Sequence, residues 1–176
     1  MISPTNSILS NRAYANAYYY DMLYLGAFSN FQDLLYNVTL HPCMGIYLSH
    51  LQNQKPDIIQ GTLPDENYAR EIMQLFSIGL FELNTDGTSK LDVNGDLIPT
   101  YDIYDIQELS KVFTGLAGSE RLDGGLATFA NGFGAYDLRE PMKMYYDFHS
   151  KREKVLIDGT VIPENQPDLA DIDNVI

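Results

Sequence analysis

Pro64-Asp65-Glu66-Asn67-Tyr68-Ala69-Arg70-Glu71-Ile72-Met73-Gln74-Leu75-Phe76-Ser77-Ile78-Gly79-Leu80 decides how this chain is read. Asp65 suits a helix cap, Glu66 suits the positive end of the helix, and Gly79 suits its stop. At about 100° per residue, Tyr68, Ile72, Leu75 and Phe76 share one face, which predicts a core helix. Asn67 and Glu71 stand one turn apart on the flank of that face. Glu66 and Arg70 stand one turn apart on its back. A carboxylate held on an apolar flank can serve as acid, base or metal ligand. The plainer reading is a Glu66–Arg70 surface ion pair, with Glu71 hydrogen-bonded to a neighbouring loop. Both readings stay open.

On the N-terminal side, residues 12–25 read as a helix, with Tyr14, Tyr18, Met22 and Leu25 at helical spacing. Ser29 or Asn30 caps a second helix, whose apolar positions are Phe31, Leu34, Leu35 and Val38. His41-Pro42 ends it and starts a third, with Met44, Tyr47, Leu48 and Leu51 inward. Residues 52–64 read as a loop. On the C-terminal side, residues 81–100 read as a hairpin insertion, because Asn94-Gly95 is a strong two-residue turn signal. Asp102 caps a fifth helix, with Ile103, Ile106, Leu109, Phe113 and Leu116 inward. Residues 117–140 carry Gly118, Gly124, Gly125, Gly132 and Gly134 and read as a flexible loop. Residues 142–149 suit a strand. Residues 154–157 and 160–163 flank Asp158-Gly159 as a hairpin. A helical pattern starts at Asp168 and runs to the last residue. The expected architecture is mainly α: about five packed helices with one or two β-hairpins. Residues 1–176 then form a single domain, or a fragment of a larger helical one.

The chain has 176 residues, 45% of them hydrophobic, enough for a core. Its formal charge of −13 repels a phosphate backbone, so nucleic acid is not an expected partner. No run approaches a membrane span, and no transmembrane segment is expected. The N-terminus lacks the basic-then-apolar layout of a signal peptide. Cys43 is the single cysteine, which rules out an intrachain disulfide and a Cys-based zinc site. Thirteen Tyr and eight Phe stand against no Trp. Tyrosines suit half-buried core edges, and also a wet contact surface.

The three histidines, His41, His50 and His149, show no short metal-ligating spacing, so no metal site is expected. His41 reads as a helix cap. His149 is the least explained and the histidine to test first. The sequence Asp92-Val93-Asn94-Gly95-Asp96 fails the calcium-loop pattern, because glycine and the closing acid fall at the wrong places. There is no phosphate-binding loop, no dinucleotide fingerprint and no nucleophile elbow. No cofactor follows from the sequence.

The 64–80 stretch resembles the signature of a bacterial family known as domain of unknown function 1800. Glu66, Asn67, Tyr68, Ala69, Arg70, Glu71, Met73, Leu75 and Gly79 match it. Asp65, Ile72, Gln74 and Ile78 depart from it. Three further blocks are similar. They are Asn30 to Leu35 running into His41-Pro42-Cys43-Met44; Tyr101, Asp105, Ile106 and Leu109 with Thr114-Gly115-Leu116; and His149 with Lys154, where Ser150 replaces an acid. These blocks span residues 28–160, similar to the middle portion of the family. The resemblance implies a mostly helical, exported bacterial protein, periplasmic or extracellular, with its export signal outside this chain. It implies an exported sulfatase-like partner protein. It brings no established activity, cofactor or catalytic residue.

The functional expectation is an enzyme, or part of one, acting on an envelope or extracellular substrate at a carboxylate/histidine site. Its candidate catalytic residues are Glu71, His149, Asn67 and Arg70. The alternative is a non-catalytic binding or assembly module using a tyrosine-rich surface. A cleft joining Glu71 to His149 favours the first. An exposed tyrosine patch, with those residues paired elsewhere, favours the second.

Overall fold

The computed structural model describes residues 8–57, 59–167 and 169–176. Among them are six α-helices: α1 (Ala13–Leu25), α2 (Phe31–Leu40), α3 (Pro42–Tyr47), α4 (Asn67–Glu71), α5 (Ile103–Val112) and α6 (Ala170–Val175). A π-helical segment, Ile72–Phe76, continues α4, and Phe133–Ala135 is a 3-10 turn. Strands β1 (Leu116–Gly118) and β2 (Met142–Met144) form one antiparallel pair, with Ala117 opposite Lys143. Strands β3 (Lys154–Val155) and β4 (Val161–Ile162) form another, with Lys154 opposite Ile162.

The expected mainly α class is overturned. Helix covers 35% of the chain and strand 12%, so turns and irregular segments dominate. The physical reason is that buried side chains, rather than helix ladders, satisfy much of the backbone. The Asn53 side chain accepts from the Asp65 amide (2.8 Å) and donates to the Asp65 carbonyl (3.0 Å). The Gln52 amide donates to the Phe129 and Asn131 carbonyls. Tyr136 donates to the Thr128 carbonyl at 2.7 Å. Such bonds let long connections pack against the core without orphaned polar groups. The segment 117–140 is tied in this way, with Phe129, Tyr136 and Leu138 buried.

The caps follow their sequence. Asn30 accepts from the Gln32 amide, His41 Nδ1 accepts from the Cys43 amide, and Asp102 forms a capping box with Asp105. Asp65 accepts from the Asn67 amide at 2.8 Å, two residues before α4 begins. The Asp158-Gly159 hairpin forms, with Gly159 at φ 81°. Residues 81–100 carry the bridges Phe81–Pro99, Leu83–Ser89 and Leu91–Leu97, a pair of tight turns rather than one long hairpin. The Asp92 carboxylate is engaged there by the Asn94 and Asp96 amides. Residues 142–149 are strand only to Met144. Asp168, the expected start of the last helix, lies outside the described residues, and α6 begins at Ala170.

Two apolar stripes turn out differently from their sequence reading. After α4 the backbone winds with i→i+5 bonds, which makes each turn one residue wider. Ile72 and Met73 stay buried beside Tyr68 and Ala69, and Leu75 rotates outward to 67% exposure. In α1 the buried residues are Ala15 and Tyr19, and Tyr14, Tyr18 and Leu25 face outward. Ile103 in α5 is also exposed.

The core is one cluster. At its centre Tyr68 stacks on His50 at 3.8 Å between ring centres and meets Phe113 edge-on at 4.8 Å. The Tyr68 hydroxyl lies 2.7 Å from Thr39 Oγ1. His50 Nε2 meets the Thr39 carbonyl at 2.9 Å and must donate to it. No helix among the described residues is long and apolar enough to cross a membrane.

Candidate functional site

Of the four sequence-nominated residues, Asn67, Arg70 and Glu71 are half-buried along α4 and His149 is buried. Arg70 pairs with Glu66 at 3.3 Å on the helix surface. Asn67 is half-buried in the first turn of α4, its amide held by Asp65. Glu71 is half-buried at the end of α4, and its side chain makes no hydrogen bond or ion pair among the described residues.

His149 is fully enclosed, and the carboxylate that meets it is Asp171, not Glu71. His149 Nε2 lies 2.9 Å from Asp171 Oδ2, and Nδ1 lies 2.8 Å from the Thr114 carbonyl. Lys154 Nζ reaches the same Asp171 oxygen at 2.6 Å. It also donates to the Ser150 carbonyl at 2.7 Å and the Arg152 carbonyl at 2.9 Å. Thr114 Oγ1 donates to the Lys111 carbonyl and accepts from the Ser150 amide at 2.9 Å. His149, Lys154 and Asp171 are each 1% exposed. Burial pushes the Asp171 carboxyl up, but His149 and Lys154 outweigh it and hold it below its ordinary range.

Local sequence builds this cluster. The turn after α5 carries Thr114-Gly115, where Gly115 takes φ 83°. A Cβ there would lie 2.8 Å from His149 Cβ and 2.9 Å from its amide nitrogen. Glycine is therefore what lets the His149 segment close against the helix end. α6 then delivers Asp171. The similar blocks Thr114-Gly115 and His149/Lys154, far apart in sequence, meet here. Asp171 and the Thr114 carbonyl escaped the sequence reading. Asp171 sits in an acidic tail with no local signal of burial. The one available clue was that His149 and Lys154 both needed an anion if buried.

The chemistry of the cluster is that of a lock. The Thr114 carbonyl can only accept, so His149 donates from Nδ1. Its Nε2 faces the Asp171 carboxylate, which Lys154 also contacts. Both ring nitrogens are therefore engaged inside the core. All three Lys154 protons are used. Among the described residues no group of three or more His, Cys, Asp or Glu is placed to hold a metal ion.

The other histidines are also core groups. His41 and His50 are buried, and burial lowers each to about 4. Cys43 is buried too, and burial raises its thiol to about 12.

The open concave surface lies elsewhere, around α2. A depression of about 540 Å³ runs between α2, the π-helical segment, α5 and α6, with Leu35, Ile72, Met73, Leu109, Leu156 and Val175 in its walls. One of about 320 Å³ lies on the opposite flank of α2, against α1, walled by Leu23, Leu34, Val38, Met44, Leu75 and Phe76. Phe31 and Leu35 belong to both. Beside them the outer face of α1 and the corner after it present Tyr18, Tyr20, Tyr24, Leu25 and Phe28 to solvent. Tyr24 is 79% and Phe28 102% exposed.

Neither a curated protein nor a solved structure matches the chain. One family model matches residues 3–176, further in both directions than the blocks legible by eye. The motif residues of 64–80, the Thr114-Gly115 turn after α5 and the His149/Lys154 pair all lie within that match. The chain therefore belongs to the family described as "Protein of unknown function (DUF1800)".

Proposed function

We propose that this chain is a non-catalytic binding or assembly module of an exported bacterial protein, and that its contact face is the tyrosine-rich outer side of α1 with the corner leading into α2. The observation that carries this reading is the exposure of Tyr18, Tyr20, Tyr24, Leu25, Phe28 and Phe31 along α1, the corner after it and the start of α2. Exposed large apolar side chains gathered in one segment mark interaction sites, and tyrosine is enriched where partners dock. The exported setting, periplasmic or extracellular, rests on the family resemblance alone. So does a sulfatase-like protein as the first partner to try. The −13 charge argues against nucleic acid as a partner.

The enzymatic reading is set aside for a specific reason. It needs His149 within reach of a substrate, and His149 is buried with both ring nitrogens engaged by Thr114 and Asp171. A photo-crosslinking residue at Tyr24, in the full-length protein in its own cells, tests the proposal. A single adduct is expected. Its purified partner should bind the unaltered protein and fail to bind a Tyr20→Ser/Tyr24→Ser/Phe28→Ser variant. Absence of any adduct, or equal binding by that variant, contradicts it.

A further inference from the structure

We infer that the grooves around α2 receive an amphipathic helix whose apolar stripe is flanked by lysine or arginine. This rests on the binding-module reading and names the chemistry of the partner. Phe31 and Leu35, one turn apart, form a ridge with an apolar depression on either side. A small ligand would fill one depression. A helix with apolar anchors at i, i+3 or i+4, and i+7 can straddle the ridge and fill both.

The charge of the rim sets the flanks of that helix. Asp105 and Asp158 border the larger depression. Asp33 and Asp173 border a third, polar one that shares Gln32 with it. No Lys, Arg or His lines any of the three among the described residues. An acidic partner would meet four aspartates with no compensating cation, whereas a basic flank meets complementary charge along the rims of the larger and the polar depressions.

Two helical peptides with the same leucine stripe test this on the full-length protein, one with lysine flanks and one with glutamate flanks. The lysine peptide should bind saturably and at least roughly tenfold tighter than the glutamate peptide. Leu75→Arg and Ile78→Arg each replace an exposed groove side chain and should abolish that binding. Leu91→Arg adds the same charge on the exposed 81–100 lobe and should leave it unchanged. No binding of the lysine peptide overturns the inference. So does equal weakening by Leu91→Arg, which would mean that net charge alone attracts the peptide. The two proposals fail separately. Loss of the crosslinked partner in the tyrosine variant supports the docking face even if neither peptide binds the grooves.

Discussion

His149 Nε2 lies 2.9 Å from Asp171 Oδ2 across 22 residues of sequence, with Lys154 Nζ 2.6 Å from the same oxygen. Removing the shared anion leaves the buried Lys154 ammonium without a counter-charge and His149 Nε2 without its partner. Asp171→Ala should cost about 3–5 kcal/mol in urea unfolding. Glu66→Ala breaks only the surface pair with Arg70 and should cost under about 1 kcal/mol. Similar costs for the two would show that the buried cluster is not the lock described. The low-lying Asp171 carboxyl adds a pH signature. Its contribution is present above the ordinary carboxylate range and is lost as pH falls through its lowered value.

His41 and His50 set an earlier acid limb. Each is lowered from 6.5 to about 4 by burial, so the unfolded chain takes up protons first as pH falls below 6.5. Stability is full above that point and declines towards pH 4, by about 2 kcal/mol per histidine at pH 5. His41→Asn keeps an acceptor for the Cys43 amide and should remove about half of that slope. Denaturation midpoints at pH 7 and pH 5 for the two proteins measure it.

Gly115 and Gly95 both take positive φ but differ in their surroundings. A Cβ at Gly95 meets nothing within 4 Å, whereas one at Gly115 runs into His149. Gly95→Ala should cost only its backbone strain, about 1–2 kcal/mol. Gly115→Ala carries that strain plus overpacking of about 1–3 kcal/mol. Equal unfolding free energies for the two variants would contradict the close approach.

The π-helical turn makes a clean prediction within one signature. Leu75→Ala should change stability by less than about 0.5 kcal/mol, because Leu75 faces solvent. Met73→Ala should cost about 2–5 kcal/mol, because Met73 is buried. A regular α-helix through residue 76 would reverse that order.

Local rules made the caps legible: Asn30, His41 and Asp102 each supply an acceptor to free amides at a helix start. The Asp158-Gly159 turn was legible for the same reason, since a two-residue hairpin needs a residue that tolerates positive φ. The phase of Leu75 was not, because a π-turn shifts every later residue and leaves no mark in the hydrophobic spacing. The outward face of α1 was not legible either. Its residues are apolar on both sides, so periodicity does not say which side is buried. For the site, His149 could be nominated from the sequence, and Lys154 was marked only by the family resemblance. Asp171 could not, because nothing near it indicates that its helix closes over residues 149–154. The irregular content was missed because bonds from Gln52 and Asn53 to distant carbonyls and amides have no sequence period.

The central claim, that the module works through its exposed aromatic face and not through the buried His149–Asp171–Lys154 cluster, is tested most directly by one binding comparison. The crosslinked partner is titrated against two folded variants of the full-length protein. One is Tyr20→Ser/Tyr24→Ser/Phe28→Ser. The other is His149→Gln/Lys154→Met/Asp171→Leu, which replaces all three buried polar groups together and so leaves no charge unpaired. The predicted result is that the first variant loses the partner and the second binds it as the unaltered protein does. Loss of binding in the second with retention in the first would contradict the account.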